Sequence, residues 1–404
     1  MSTAPAARAT RAPTTPPPLA PPLPGLLTLS ATAFTAVLTE LLPAGLLPRM
    51  GTGLGVSEGR IGFLVTLYAG ASFLSAIPLT ALLRGLPRRG VLVGALTGLA
   101  LADAVTALSS SYVLTCAARL LAGAMGGTLW AMLAGYGARL VPPERRGRAI
   151  ATVLAGITAA LSLGVPLGTA LADAVGWRPA FAALAVLALL LTGCALRYVP
   201  DFPGEPGSGR LPLRRIAVLP GLRPVLSVTL LLLLGHQAMY TFLVPFAAHR
   251  GFGRAGAALF VFGASTVAGI WLAGLLADRH PRAALLTALA LIAVVLAALG
   301  AAGRAPVVLL AAVALWGVAF GGAPTLIQTA LVDVSGPEHA DVATALQATV
   351  YNVGISAGSL VGGVVLEGAG AGALPWTSLP LVIGAAAVVW TGRKRAFPVR
   401  RGMR

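Results

Sequence analysis

The sequence is short of charge, of histidine and of cysteine, and each shortage removes a class of protein. Only 10% of its 404 residues are charged. Soluble domains carry roughly 25%, so a soluble enzyme with a normally polar surface is excluded. The two cysteines, Cys116 and Cys194, stand in apolar stretches and leave no disulfide framework or Cys/His metal pattern. The four histidines (236, 249, 280 and 339) lie in separate segments and no His-Glu-x-x-His occurs, so neither a metal site nor an intramembrane metalloenzyme is expected. No Gly-x4-Gly-Lys-Ser/Thr sequence is present either, and the short loops leave no room for a nucleotide-binding domain. No cofactor is expected.

What the chain does have is long apolar runs. Twelve are long enough to cross the roughly 30 Å hydrocarbon layer as helices: 26–47, 61–83, 91–109, 113–138, 149–171, 179–197, 224–247, 255–277, 283–302, 306–332, 343–366 and 376–391. Lipid offers the backbone no hydrogen bonds, and a barrel would show short alternating strands instead, so these runs read as spans 1 to 12 of an all-α membrane protein in the lipid bilayer. Residues 1–24 form a Pro/Ala/Thr tail without the basic start and immediate apolar core of a cleaved signal. A disordered cytoplasmic tail is expected there, the alternative being a partner-binding polyproline segment.

The net charge of +17 sorts by side. With the N-terminus inside, the inner segments hold 22 basic residues and the outer connections six, while Arg119 alone lies within a span. Such asymmetry places both termini in the cytoplasm. It leaves no folded basic surface for nucleic acid. One lysine against 28 arginines, with abundant Ala, Gly and Pro, points to a GC-rich bacterial genome and hence to the bacterial inner membrane.

The longest inner connection divides the spans six and six. A first half at 25–197, a cytoplasmic loop at 198–223, a second half at 224–391 and a basic cytoplasmic tail at 392–404 are expected. Shifting the first half by 194 positions lays Pro87-Arg88 on Pro281-Arg282, and Gly123 and Gly127 on Gly317 and Gly321. It also lays Pro143-Glu144 on Pro337-Glu338, and Gly164 and Gly168 on Gly358 and Gly362. Two parallel six-helix repeats form a transporter architecture, with the substrate site between them near the midplane.

Several segments now carry a resemblance. Span 1 holds Thr39-Glu40-Leu41-Leu42-Pro43-Ala44-Gly45, and span 4 holds Arg119 with Gly123. Span 5 holds Gly156 and Gly164-Val165-Pro166-Leu167-Gly168, and the loop after span 8 holds Gly274, Asp278, Arg279 and Arg282. The chain resembles the major facilitator superfamily, in its twelve-span drug:proton antiporter branch, near the chloramphenicol, sugar and nucleoside exporters. The resemblance implies the major facilitator fold, efflux driven by the proton gradient, and an antiporter motif at Gly156, Gly164, Pro166 and Gly168. It associates Arg119 with proton coupling and the loop residues with cytoplasmic gating. The first-half copy of the loop signature departs, with Thr80, Arg84 and Pro87 at key positions while Arg88 and Arg89 remain. That departure weakens a charge-paired gate between spans 2 and 3.

Ionisable groups in hydrocarbon are costly and therefore informative. Glu40 lies about eight residues, roughly 12 Å, from the outer end of span 1. It is the leading candidate to load and release a proton, the alternative being a packing carboxyl. Pro43 frees the carbonyl of Thr39 one turn back and makes a polar patch beside the acid. Asp103 and Arg119 flank the turn Ser109-Ser110-Ser111-Tyr112 at matching depths, which predicts a buried ion pair or a second coupling acid with its cation. In span 7, His236, Gln237 and Tyr240 are placed on one face as cavity residues, joined by Tyr351 and Asn352 in span 11 and by Trp130. Gln328 and Asp333 fit gate or loop contacts, and Trp271 a cavity wall or a lipid-facing ring. The expectation is a monomeric multidrug-resistance-type antiporter exchanging protons for a small amphipathic drug or antibiotic. A sugar, nucleoside or other metabolite exporter is the alternative.

Overall fold

The computed structural model describes residues 23–83, 85–204, 221–252, 255–277, 280–301, 306–336, 340–392 and 396–397. Twelve helices among them are long and apolar enough to cross a membrane. Span 1 is Leu23–Gly45, span 3 Arg88–Leu108, span 4 Tyr112–Arg139, span 6 Trp177–Tyr198 and span 7 Leu222–Tyr240. Span 9 is Pro281–Ala301 and span 10 Pro306–Ser335. Spans 2, 8, 11 and 12 run through helices Glu58–Leu83, Ala255–Ala277, Ala340–Ala369 and Leu374–Thr391. No strand occurs among the described residues, and the protein is all-α.

Most helices outrun their apolar stretches by a few residues, because backbone hydrogen bonding continues into the interface where side chains turn polar. Two expected spans are instead too long. The 26–47 run breaks at Leu46, and a short helix, Leu47–Leu54, follows with Pro48 in its first turn. The 224–247 run likewise ends at Tyr240, and Leu243–His249 forms a separate helix. Span 5 is continuous from Arg146 to Val175 but contains a π-helical turn at Ala160–Gly164, just before Pro166. The wider turn accommodates the amide that Pro166 lacks.

The two halves pack by the same rule. Span 4 lies on span 2 and span 10 on span 8; span 5 lies on span 1 and span 11 on span 7; spans 3 and 6 pair as do spans 9 and 12. The glycines explain the closeness. A Cβ on Gly123 would strike the carbonyl of Tyr68, and one on Gly127 that of Ser72. Gly317 and Gly321 meet the carbonyls of Phe262 and Thr266, each 194 positions further on. The sequence repeat is therefore a repeat of helix contacts.

The two expected ends of chain and the central loop need correction at their edges. Leu23 and Pro24 belong to the span 1 helix, while 1–22 lie outside the described residues. Of the 198–223 loop, residues 205–220 lie outside. The described start is anchored: Phe202 packs edge-on against Tyr136 at 5.4 Å, and Tyr136 Oη donates to the Pro200 carbonyl at 2.8 Å. In the 392–404 segment Phe397 is 3% exposed, buried beside Pro281, Leu285, Leu326 and Ala330. An aromatic folds back after each half because span ends otherwise leave apolar surface open.

Candidate functional site

The charged side chains that are buried among the described residues are Glu40, Asp103 and Arg119, and they meet at one point in the first half. Pro43 has no amide hydrogen, so the Thr39 carbonyl one turn back lacks its helical donor. Arg119 Nη2 donates to that carbonyl. Thr39 Oγ1 donates to Asp103 Oδ2 at 2.8 Å, and Arg119 Nη1 stands 3.8 Å from Asp103 Oδ1. The guanidinium lies over the Tyr68 ring at 5.1 Å and the Phe181 ring at 5.9 Å. Its charge also acts on Glu40, whose Oε1 is buried with no hydrogen-bond partner. Spans 1, 2, 3, 4 and 6 thus converge on one cation with two acids, one bonded and one open.

The second half answers with rings. His236 stacks on Phe320 at 3.5 Å between centroids and on Tyr240 at 5.2 Å, with Trp316 at 5.2 Å and Phe262 at 5.6 Å. The expected grouping of Gln237 with His236 and Tyr240 is not what the helix builds. One residue is about 100° of rotation, and Gln237 Nε2 instead donates to Thr241 Oγ1 at 3.0 Å, which bonds Ser359 in span 11 at 2.8 Å. Asn352 donates to its own helix at Ala348. Tyr351 and Trp130 are half-buried against the apolar core, whereas Trp271 is 69% exposed. These residues form no single cluster with His236. Gln328 bonds Thr344 of span 11 at 2.9 Å.

The antiporter-like glycines of span 5 are the seat of span 1. Gly156 lies against the Ser30 carbonyl, Gly164 against the Phe34 ring and Gly168 against Leu42. Of the loop residues, Arg89 donates its amide to Asp201 Oδ1 at 2.9 Å, and the Arg88 amide bonds the Phe202 carbonyl at 2.9 Å. Arg282 donates to the Trp390 carbonyl at 3.1 Å. These bonds stay within one half. Gly274 is exposed, and Asp278 and Arg279 lie outside the described residues.

Contacts between halves cluster away from the arginine-rich end of the bundle. Thr66 Oγ1 donates to the Ser356 carbonyl at 3.2 Å and Ser356 Oγ to the Thr66 carbonyl at 3.0 Å, joining span 2 to span 11. Nearer the far end Ser57 donates to Glu367. On the opposite side Gly263 of span 8 approaches the backbone of Leu161 and Ser162. One apolar cluster links Leu42 and Ile61 with Phe242 and Leu259 across the halves, while a second, around Leu29, Leu96 and Leu133, belongs to the first half alone.

A model of the Major Facilitator Superfamily matches residues 29–359 and, overlapping, 254–401. The chain belongs to the major facilitator superfamily. Among solved structures, the human organic anion transporter MFSD10 (TETRAN) is similar with a TM-score of 0.68 at 21% identity, over 92% of this chain and 100% of that one. A bacterial homolog of the human lysosomal transporter Spinster, inward-facing and occupied, gives 0.76 at 13% identity, over 92% and 96%. Its inward-facing, unoccupied form gives 0.68 at 14%, over 91% and 94%. These likenesses carry the fold. Family membership makes the chain a multi-pass membrane transporter; members of the family are transporters rather than enzymes.

Tyr68 and Thr39 are the members of the buried charged cluster that sequence reasoning left out of its coupling set. A tyrosine in an apolar span carries no signal of its own. Thr39 had one, since the carbonyl freed by Pro43 required a donor.

Proposed function

We propose that this transporter is a proton-coupled exporter of small amphipathic molecules, drugs or antibiotics among them, working by alternating access between its halves. The observation that carries the reading is the unpartnered Glu40 Oε1, buried within the field of an Arg119 already bonded to Thr39 and near Asp103. A buried acid with a free oxygen beside a cation that has a second acid to turn to is the kind of group that can load and release a proton through a conformational cycle. Glu40 is the carrier in this reading, Arg119 its counter-charge and Asp103 the anion that holds Arg119 when Glu40 is protonated. Export, rather than uptake, is supported by the resemblance at Gly156, Gly164, Pro166 and Gly168. A neutral or weakly charged cargo is supported by the lack of other buried charge among the described residues. Cytoplasmic termini are supported by the arginine distribution, and a bacterial inner membrane by the excess of arginine over lysine with abundant Ala, Gly and Pro.

The test is substrate-induced proton release in proteoliposomes. Wild type exchanges protons for cargo; Glu40→Gln at normal abundance loses proton release and uphill export while keeping downhill exchange. Undiminished proton release in Glu40→Gln overturns the assignment. A resistance panel in an efflux-deficient bacterium, with and without a protonophore, identifies the cargo class. Gradient-dependent export of a sugar or nucleoside, with no drug resistance, favours the metabolite reading on the same scaffold.

A further inference from the structure

Tyr68 occupies a position that neither packing nor the charged cluster alone explains. Its hydroxyl donates to the Ala36 carbonyl of span 1 at 3.1 Å, and its ring lies beneath the Arg119 guanidinium. Gly126 makes room for the hydroxyl, since a Cβ there would overlap it. Tyr68 is fully buried. Two residues earlier on the same turn, Thr66 makes the reciprocal pair of hydrogen bonds with Ser356 in the other half. Residues two apart on a helix face nearly opposite ways, about 200°. One turn of span 2 therefore touches the charged cluster on one face and the partner half on the other.

We infer that Tyr68 is the positioning residue that transmits the charge state of the cluster to the seam between spans 2 and 11. The inference rests on the proton-coupled reading above. The groups that face Arg119 are Glu40 from span 1, Tyr68 from span 2 and Asp103 from span 3, with the uncharged Phe181 from span 6. A cation over an aromatic face is held by the ring quadrupole, more strongly when both are dry. When Glu40 exchanges its proton, Arg119 changes its balance between the two acids, and the ring beneath it must follow. Span 2 is tightly seated on span 4 at Gly123 and Gly127, so the displacement passes into the turn that carries Thr66. The seam runs along both helices: the Thr66–Ser356 pair, the Ser57–Glu367 bond nearer the far end, and close approaches at Gly59, Gly70 and Gly363. A shift of the Thr66 turn is therefore felt along the whole contact between spans 2 and 11.

The test uses the full chain with Cys116 and Cys194 replaced by serine and spin labels at Thr52→Cys and Gly368→Cys, which report the separation of the halves at the far end. In proteoliposomes the wild-type background is expected to show two distance populations whose ratio changes between acidic and alkaline buffer. Tyr68→Leu keeps both populations but loses the response of their ratio to pH. Tyr68→Phe, which retains the ring and loses the bond to span 1, responds with smaller amplitude. Thr66→Val shifts the ratio at every pH and keeps the response. A purely structural Tyr68 predicts the Thr66→Val pattern for its own variants. A wild-type response in Tyr68→Phe, or in Tyr68→Leu at normal abundance, overturns the inference alone. A wild type without any response, together with absent proton release, overturns the proton-coupled reading and the inference with it.

Discussion

The first half holds a cation and two acids where the second half holds a stack of rings. With the 194-residue shift, Tyr68 corresponds to Phe262, Arg119 to Val313 and Asp103 to Ala297. Trp316 and Phe320 take the places of Ala122 and Gly126 and fill the volume that Tyr68 occupies opposite. The backbone contacts between spans 2 and 4 and between spans 8 and 10 correspond, down to the carbonyls that meet Gly123 and Gly317, and Gly127 and Gly321. A repeated scaffold thus fixes helix spacing, while the side chains placed in the equivalent gap decide whether that gap titrates or merely packs. The cost differs too. Rings bury apolar area at a gain, whereas three ionisable groups must be offset by one another.

The comparison breaks most sharply at Arg119. Arg119→Leu leaves two buried acids without their cation and is expected to cost about 3–5 kcal/mol, read as a lost or strongly lowered thermal transition in detergent. Val313→Leu, the corresponding site in the second half, is already apolar and should fall well below that loss. Equal losses would mean that volume, not charge, dominates both sites.

Glycine substitutions sharpen the shared part. Gly123→Val and Gly317→Val each drive a side chain into a backbone carbonyl of the neighbouring span, with an expected cost of about 1–3 kcal/mol or more. The two should be alike within experimental scatter in thermal stability. A loss confined to Gly123→Val would show that the halves do not pack by one rule.

The smallest effect is expected at His236. Its Nδ1 has no hydrogen-bond partner and its ring is stacked among four others. His236→Phe therefore keeps the stack at a cost below about 1.5 kcal/mol and leaves substrate-induced proton release unchanged. If proton release falls while the melting temperature holds, the second half also titrates, and the contrast between the halves fails.

Parts of the candidate site are legible in the sequence. Asp103 and Arg119 could be paired because a short turn fixes both depths at 1.5 Å per residue, and they lie 3.8 Å apart. The Thr39 carbonyl was marked by Pro43, and Arg119 fills it. The neighbour of Gln237 is not legible in span 7, since the apolar stretch around it gives no sign of which residue each rotation meets. Tyr68 carried no mark at all.

By itself the sequence determined the number of spans, the sorting of arginines and the two-fold repeat. Those properties depend on the order of residues along a single axis, namely apolar length, charge between spans and spacing of small residues. Only the tertiary structure decided that five helices converge on Arg119, that Tyr68 stands between this cation and the Thr66–Ser356 seam, and that the halves touch away from the arginine-rich end. Such contacts join positions as far apart as 66 and 356. Which distant side chains meet is set by helix rotation and by the packing of glycine against backbone, and those are fixed only when all the helices are in place together.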